Sequence, residues 1–541
     1  MKKIFIYFLC MITLLIFLVG CRSEETYSSS IASQTVSMVV GSAYEWGNEY
    51  PYFNESVDFS DVSVPLTSEK PSSSSRESSS LVETTSTNKN SSNQSSSKKS
   101  SSKVTTTSSK SSSKTTFTDK LSSKDSSSSK KSSVGTSTSQ STATTTVNYK
   151  TVKAVWISYI DFADILTGKS ESQFRKNFEK VCENAVDFGI NTLICHVRAF
   201  GDAVYPSEYF AWSQMVADVG KNPGFDPLKI MIEISHKHNL SFHAWLNPFR
   251  TFLNTQISKV PNSTIFKKWY NDSSKKGRYI VKEGDRWYYN PGEPEVRELI
   301  LNGVKEIINN YSVDGIHFDD YFYPTMKASF DEKSYKAYSG GKALDVWRRE
   351  NITKFVKSVY DAVKEKNKNI VFGISPQANI ENNMIEMYAD VKLWATKNGY
   401  VDYLCPQIYY SYKSETLNFT TALNDWKNLV TASNVKLMVG LSPYRIGWYD
   451  KWACPICSKD EKHNPATQSC GKYGWVTSKV SNSNILERQY NDSMAVSKCK
   501  GVFLYSYTYL IDFSYYGGTG YASNAAEQAK VEIKKLRTAM K

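Results

Sequence analysis

From Tyr149 onward, short apolar runs alternate with amphipathic stretches of helical period, and that alternation admits few folds. Parallel strands need a crossover between them, usually a helix, and helices on the outside bury the sheet's outer face. The runs fall at residues 152–159, 190–198, 240–247, 313–319, 370–377, 401–409, 435–442 and 501–507, eight in all. Eight such units predict an α/β fold of the (β/α)8 TIM-barrel type. The helical stretches between them carry their own start signals. Ser170 and Gln173 have capping-box spacing, followed by Phe174, Phe178, Val181 and Ala185 on one face. Pro294 suits a first turn, with Val296, Ile300, Gly303 and Ile307 behind it.

In a barrel strand one set of alternate residues packs under the helices and the other faces the axis. Sorting each run this way turns Trp156 and Ser158 inward, then His196 and Arg198, then His243, Trp245 and Asn247. Later runs add Gly373, Ser375 and Gln377, Gln407 and Tyr409, Ser442 and Tyr505. In the fourth run Ile316 and Phe318 alternate with Gly315, His317 and Asp319. Asp319 is therefore expected to face inward at the carboxyl end of a strand, where barrel enzymes keep their chemistry. Asp320 turns away if the strand continues and reaches the rim if it stops. Each polar residue alone has a plainer reading as a satisfied core group. Their convergence on one mouth is what suits a sugar, whose hydroxyls pair with Arg, Asn and Gln while its ring faces lie on Trp and Tyr.

The preceding sequence is of another kind. Residues 1–20 have a basic start and an apolar run, and Leu18-Val19-Gly20-Cys21 resembles a bacterial lipobox. That implies cleavage before Cys21, its lipidation, and a chain held outside the cytoplasm at a membrane. Residues 21–66 carry no assignable pattern. Residues 67–147 are nearly all Ser, Thr and Lys and are expected to stay disordered, because they hold too little apolar surface to offset conformational entropy. This stretch has 12 Lys and Arg against 5 Asp and Glu, a net +7 of the chain's +13. The positive charge is thus mostly that of a solvated tether near anionic lipid or wall polymer. No nucleic-acid motif accompanies it.

Several motifs of the folded part occur in a telling order: His196-Val197-Arg198 with Gly201 and Asp202, then 244–250 (Ala-Trp-Leu-Asn-Pro-Phe-Arg), then 314–324, then 406–409 (Pro-Gln-Ile-Tyr). Together they resemble the glycosyl hydrolase-like 10 family over roughly residues 150–450. The resemblance implies a barrel glycosidase of bacterial envelopes, associated with peptidoglycan glycan strands, including strands stripped of their stem peptides. Such an enzyme is expected to need no cofactor and no catalytic metal, and to act as a monomer on wall glycan.

Glycoside hydrolysis normally uses two carboxylates, about 5–5.5 Å apart in retaining enzymes and roughly 6.5–9.5 Å in inverting ones. Asp319 is the expected essential residue, with Asp320 second and Asp202 and Asp512 as alternatives. The segment also partly resembles the Asp-Gly-x-Asp-x-Asp-x-Glu strand of chitinase-type barrels, whose substrates supply an N-acetyl oxygen as nucleophile. Asp319 matches the last Asp, but His317 replaces an Asp and Tyr321 stands in place of the Glu. Arg198, His243, Trp245, Asn247, Arg250, His317, Gln407 and Tyr409 are the expected substrate contacts, Trp245 as a stacking platform and His317 as a group that tunes the carboxylates.

Residues 148–541 form the expected catalytic domain, with a cysteine-rich insert at 451–475. Cys454, Cys457, His463 and Cys470 have the spacing of a tetrahedral zinc site; the rival is one or two disulfides among the cysteines, with or without Cys499. Cys182, Cys195 and Cys405 read as buried thiols. Two rivals to hydrolysis stay open: a barrel that binds wall glycan without cutting it, and a metal-dependent polysaccharide deacetylase.

Overall fold

The computed structural model describes residues 146–450, 453, 474–518 and 520–541. Cys21, the segment 21–66, the linker up to residue 145, and Cys454, Cys457, His463 and Cys470 lie outside the described residues. All eight predicted strands are present: β1 (Val152–Ile157), β2 (Thr192–Arg198), β3 (Ser241–Leu246), β4 (Gly315–Phe318), β5 (Val371–Ile374), β6 (Tyr403–Leu404), β7 (Lys436–Leu441) and β8 (Cys499–Leu504). They close into one barrel in sequence order, every neighbour parallel.

Among the described residues, each strand is followed by a helix of the outer layer: α1 (Glu171–Phe188), α2 (Pro227–Lys237), α3 (Pro294–Asn310), α4 (Leu344–Lys366), α5 (Val391–Thr396), α6 (Phe419–Leu429), α7 (Ile485–Ala495) and α8 (Ala525–Met540). The Ser170–Gln173 capping box forms at the start of α1, and Phe174, Phe178, Val181 and Ala185 are its buried face. Outward strand residues meet this layer as the alternation requires. The Phe318 ring, for example, lies parallel to Phe355 of α4 at 5.7 Å.

The strands are shorter than their sequence runs, and proline is the reason for two of them. β5 stops before Pro376, and β6 holds only two ladder residues before Pro406. Proline has no N–H to give a ladder. The chain then rejoins the barrel at Gln407 through isolated bridges to Gln377 and Gly440. An element absent from the sequence reading also appears: an antiparallel sheet of Arg250–Leu253, Arg286–Tyr289 and Ile280–Glu283, inserted between β3 and α3.

Inside the barrel, small residues make room for rings. A Cβ on Gly315 would lie 2.7 Å from the His243 ring, and one on Gly373 would lie 2.1 Å from the Tyr403 ring. The rings so admitted are joined by hydrogen bonds. Trp156 Nε1 donates to His317 Nε2 at 3.2 Å, with Ser375 Oγ 3.0 Å from the same nitrogen. Tryptophan only donates, so His317 Nε2 is an acceptor and the proton of the neutral ring sits on Nδ1, 2.9 Å from the Tyr403 hydroxyl. That hydroxyl also lies 3.3 Å from His243 Nδ1. Burial lowers His317 well below the usual histidine range and brings His243 down to about 4, so both rings are neutral at physiological pH.

At the opposite end of β4, Asp314 is fully buried and ties three segments together. Its Oδ2 accepts from Phe242 N at 2.7 Å and lies 2.8 Å from His236 Nε2, while Oδ1 accepts from Val147 N at 2.6 Å. The chain thus enters the barrel at the amino ends of the strands. Asp314→Asn places an amide donor among these donors and is expected to cost about 2–4 kcal/mol, read from the midpoint of urea unfolding.

Candidate active site

Because the β4 ladder ends at Phe318, the next two residues are freed from strand alternation. Asp319 and Asp320 both remain at the mouth, at 8% and 2% exposure. One side chain bridges them. Gln407 Nε2 donates to Asp319 Oδ1 at 2.9 Å, to Asp320 Oδ1 at 3.3 Å and to the Ser375 carbonyl at 3.0 Å. Asp319 Oδ1 also accepts the Asp320 N–H at 3.0 Å. Two carboxyl groups against one amide nitrogen act as a unit.

Their electrostatics differ. Burial, and then the neighbouring Asp320 charge, push Asp319 well above the usual carboxylate range, with Arg250 pulling weakly the other way. Burial raises Asp320 as well, but hydrogen bonds from Asp319, its own N–H, Gln407 and Gln377 oppose that rise. The shared proton therefore rests on Asp319, and Asp320 is the partner equipped to carry charge.

Around this pair the mouth is aromatic. The Arg250 guanidinium lies between the Phe200 and Tyr321 rings, 5.0 Å from each. The Tyr409 ring sits 6.1 Å from Tyr505 and 6.0 Å from Tyr444, and Tyr159 packs edge-on to Phe200 at 4.8 Å. Tyr159, Tyr321, Tyr409 and Tyr444 are half-buried and border the opening.

The family model for glycosyl hydrolase-like 10 matches residues 151–453, more than half of the chain. The chain belongs to the glycosyl hydrolase-like 10 family. Among its curated relatives, glycosyl hydrolase YngK of Bacillus subtilis is 32% identical over 321 residues, which are 55% of this chain and 61% of that protein. Glycosyl hydrolase DigH of Escherichia coli is 30% identical over 335 residues, 56% of this chain and 76% of that one. The chain therefore spans less than two thirds of the length of YngK. Among solved structures, the glycoside hydrolase domain of PgaB (BpsB) from Bordetella bronchiseptica aligns over 65% of this chain and 93% of its own, at 10% identity and a TM-score of 0.40.

In this glycosyl hydrolase-like 10 chain the structure brings Asp319, Asp320, Arg250, Gln407 and Tyr409 together. The other expected contacts lie elsewhere. His243 and His317 are in the neutral layer below, bonded to Tyr403. Trp245 is 3% exposed, with its ring stacked on His196 at 3.7 Å, so that face is covered. Arg198 is a buried tie: its Nη2 donates to the carbonyls of Asn247 and Pro248 at 2.9 and 2.8 Å. Asn247 itself donates to the Ala199 carbonyl at 3.3 Å.

The alternative acids are engaged locally. Asp202 is buried, raised to about 6 by that burial, and accepts the Phe200 N–H. Asp512 is exposed and caps a short turn through Ser514 N. Asp161 was not anticipated by sequence. It accepts from Ser158 N and Oγ, both at 2.7 Å, from Thr508 N at 2.9 Å and from Ser506 Oγ at 3.2 Å, tying the loop after β1 to the loop after β8. The Ser-x-x-Asp spacing after the first strand was the available signal. Cys182, Cys195 and Cys405 are buried free thiols as expected, and Cys499 is buried and free as well. Among the described residues no three His, Cys, Asp or Glu side chains converge to hold a metal.

Two outcomes follow from the dyad's charge. Because the folded state holds protons on Asp319 and Asp320 above the range where unfolded aspartates lose them, the pair costs stability as pH rises from about 4. Asp319→Asn should therefore raise the melting temperature at pH 7, with the gain vanishing near pH 3. Gln407→Met removes a donor that favours the Asp320 anion, so the acid limb of the kcat/KM profile should move to higher pH.

Proposed function

We propose that the chain is a glycoside hydrolase acting on a cell-wall polysaccharide, and that peptidoglycan glycan strands are its substrate. Membership of a glycosyl hydrolase-like family supports the reaction class. The observation that carries the mechanism is the contact of Asp319 and Asp320 with one Gln407 nitrogen.

Carboxyl groups in such contact stand on one side of a reacting centre and do not flank the scissile bond as a separate acid and nucleophile must. In this reading Asp319 delivers its proton to the leaving glycosidic oxygen as the bond from the anomeric carbon breaks. Asp320, ionised beside it, steadies the positive charge developing on the sugar. The substrate's own 2-acetamido oxygen closes on the anomeric carbon. Water then opens that ring and returns a proton to Asp319. Configuration at the anomeric carbon is retained.

The half-buried tyrosines of the rim serve as surfaces for sugar faces. Cys21 carries the lipid, residues 67–147 serve as a tether in the envelope, and the loop cysteines with His463 brace one end of the cleft as a zinc site or as disulfides.

The test is a digest of amidase-stripped glycan strands by the full chain and by its Asp319→Asn variant, with products read by mass spectrometry. New reducing ends should appear with the unmodified protein and fall by about 100-fold or more in the variant, while glycan binding persists. Strands whose acetamido groups have been removed should resist cleavage. Equal binding by both proteins with no product from either would instead identify a glycan-binding barrel.

A further inference from the structure

The insert between β3 and α3 carries an uneven share of the chain's charge. Residues 250–289 hold 9 Lys and Arg against 3 Asp and Glu, a net +6, while residues 148–541 hold 51 against 41, a net +10. As a connection between a strand and the helix that follows it, the insert stands at the same end of the barrel as the acid pair. Its acids do not answer its lysines. Glu283 is bound by Lys327, from the loop after β4, at 2.7 Å. Asp272 accepts from Ser274 N at 2.9 Å and from Ser274 Oγ at 2.6 Å, with Lys275 beside it. Arg278 is paired with Glu293 at 2.6 Å. Among the described residues, Lys267, Lys268, Lys276 and Lys282 form no ion pair with a carboxylate.

Aromatic rings hold these cations in place without neutralising them. Lys276 Nζ lies 3.8 Å and Lys267 Nζ 5.5 Å from the centroid of Tyr270, so two ammonium groups share one ring. Lys276 is also 5.6 Å from the Trp287 ring, and Lys275 stands 4.9 Å from Tyr279 and 5.8 Å from Trp269. The rings are fixed in turn, Tyr270 edge-on to Trp287 at 5.1 Å and Trp269 edge-on to Tyr279 at 5.2 Å. A ring quadrupole orients a cation and leaves its charge intact. Lys267 Nζ gives one of its three hydrogens to the Ile257 carbonyl at 2.6 Å and keeps two. Lys282 has a plainer explanation: it lies on the outer strand Ile280–Glu283, where a lysine keeps a sheet edge from pairing. Lys267 and Lys268, on the helix Ile265–Asn271, and Lys276, in the loop after it, guard no such edge.

The make-up of this face narrows its partner. Lys268 and Lys276 are exposed, yet no large apolar side chain of residues 250–289 is, because the rings lie beneath the lysines. A surface that enters lipid presents apolar side chains to it, so this face suits a partner that stays in water. Lysine acts as a compact point charge and lacks the planar fork with which arginine grips a carboxylate. Ammonium groups spread over a helix and a loop match single charges repeated along a chain. We propose that Lys267, Lys268 and Lys276, seated around Tyr270, form a docking face for a linear polymer of phosphodiester groups. The proposal is independent of the hydrolytic reading of the mouth.

The experiment is calorimetric binding of the full chain to a polyol-phosphate polymer, at low and physiological salt. Because residues 67–147 are themselves basic, every variant is made in the full chain, which keeps their contribution constant. Lys267→Gln with Lys276→Gln should weaken binding about five- to tenfold at low salt, the range for loss of two exposed ion pairs, and should flatten the salt dependence. Lys176→Gln with Lys229→Gln removes the same charge from exposed positions on α1 and α2 and should change binding less than twofold. Lys267→Arg with Lys276→Arg keeps the charge and should retain most of the affinity. Equal weakening by the two glutamine pairs, or none by the first, would overturn the proposal. Vesicles of anionic phospholipid and inorganic phosphate complete the test. A Lys267→Gln, Lys276→Gln protein impaired on the vesicles but not on the polymer would make the face a lipid contact and overturn the polymer, as would inorganic phosphate binding as tightly, per phosphate group, as the polymer does.

Discussion

Two carboxyl groups and one amide nitrogen share a space from which water is nearly excluded, and the mouth of this barrel is organised around that contact. Buried carboxylates in contact cannot both ionise without a large cost. Gln407 moderates that cost, because its amide donates to both groups while the Ser375 carbonyl holds it in place. The result is an unequal pair, with a proton kept on Asp319 and charge directed to Asp320. Any role for the pair as acid and stabiliser depends on this inequality more than on the presence of two aspartates.

The layer beneath explains how such a pair stays fixed. Trp156, His317, Tyr403 and His243 form a hydrogen-bonded interior admitted by Gly315 and Gly373, and both histidines are neutral there. A charged imidazolium in that layer would pull the dyad toward full ionisation. Its absence leaves Asp319 free to hold a proton. Charge reaches the pair from the side, where Arg250 is clamped between Phe200 and Tyr321. Below the pair the barrel is polar but uncharged, and beside it the mouth is cationic and aromatic.

The inserted sheet gives the mouth its asymmetry. It sets Arg250 and Arg286 on one ring, while the tyrosines 409, 444 and 505 group on the opposite strands. Asp161 serves this arrangement from a distance, by tying the first and last strand loops together where the ring of strands closes.

Much of the fold was legible in the chain itself. A period of two inside short runs and of 3.6 between them specifies strands and helices, and eight repeats of that pattern specify a closed barrel. Asp319 could be placed at a strand's carboxyl end for the same reason, since alternation fixes facing. Facing, however, is not depth. His243, Trp245, His317 and Arg198 all turn inward as read, yet they lie under or behind the reacting mouth, because which layer a residue occupies depends on strand stagger. Asp320 shows the reverse: alternation turned it away, and only the end of the β4 ladder brought it to the rim. Sequence determined the barrel and the direction of its side chains through local periodicity. Tertiary structure alone decided which of them meet, because the contacts of Gln407 with Asp319 and of Arg286 with Phe200 join segments that touch only after the ring has closed.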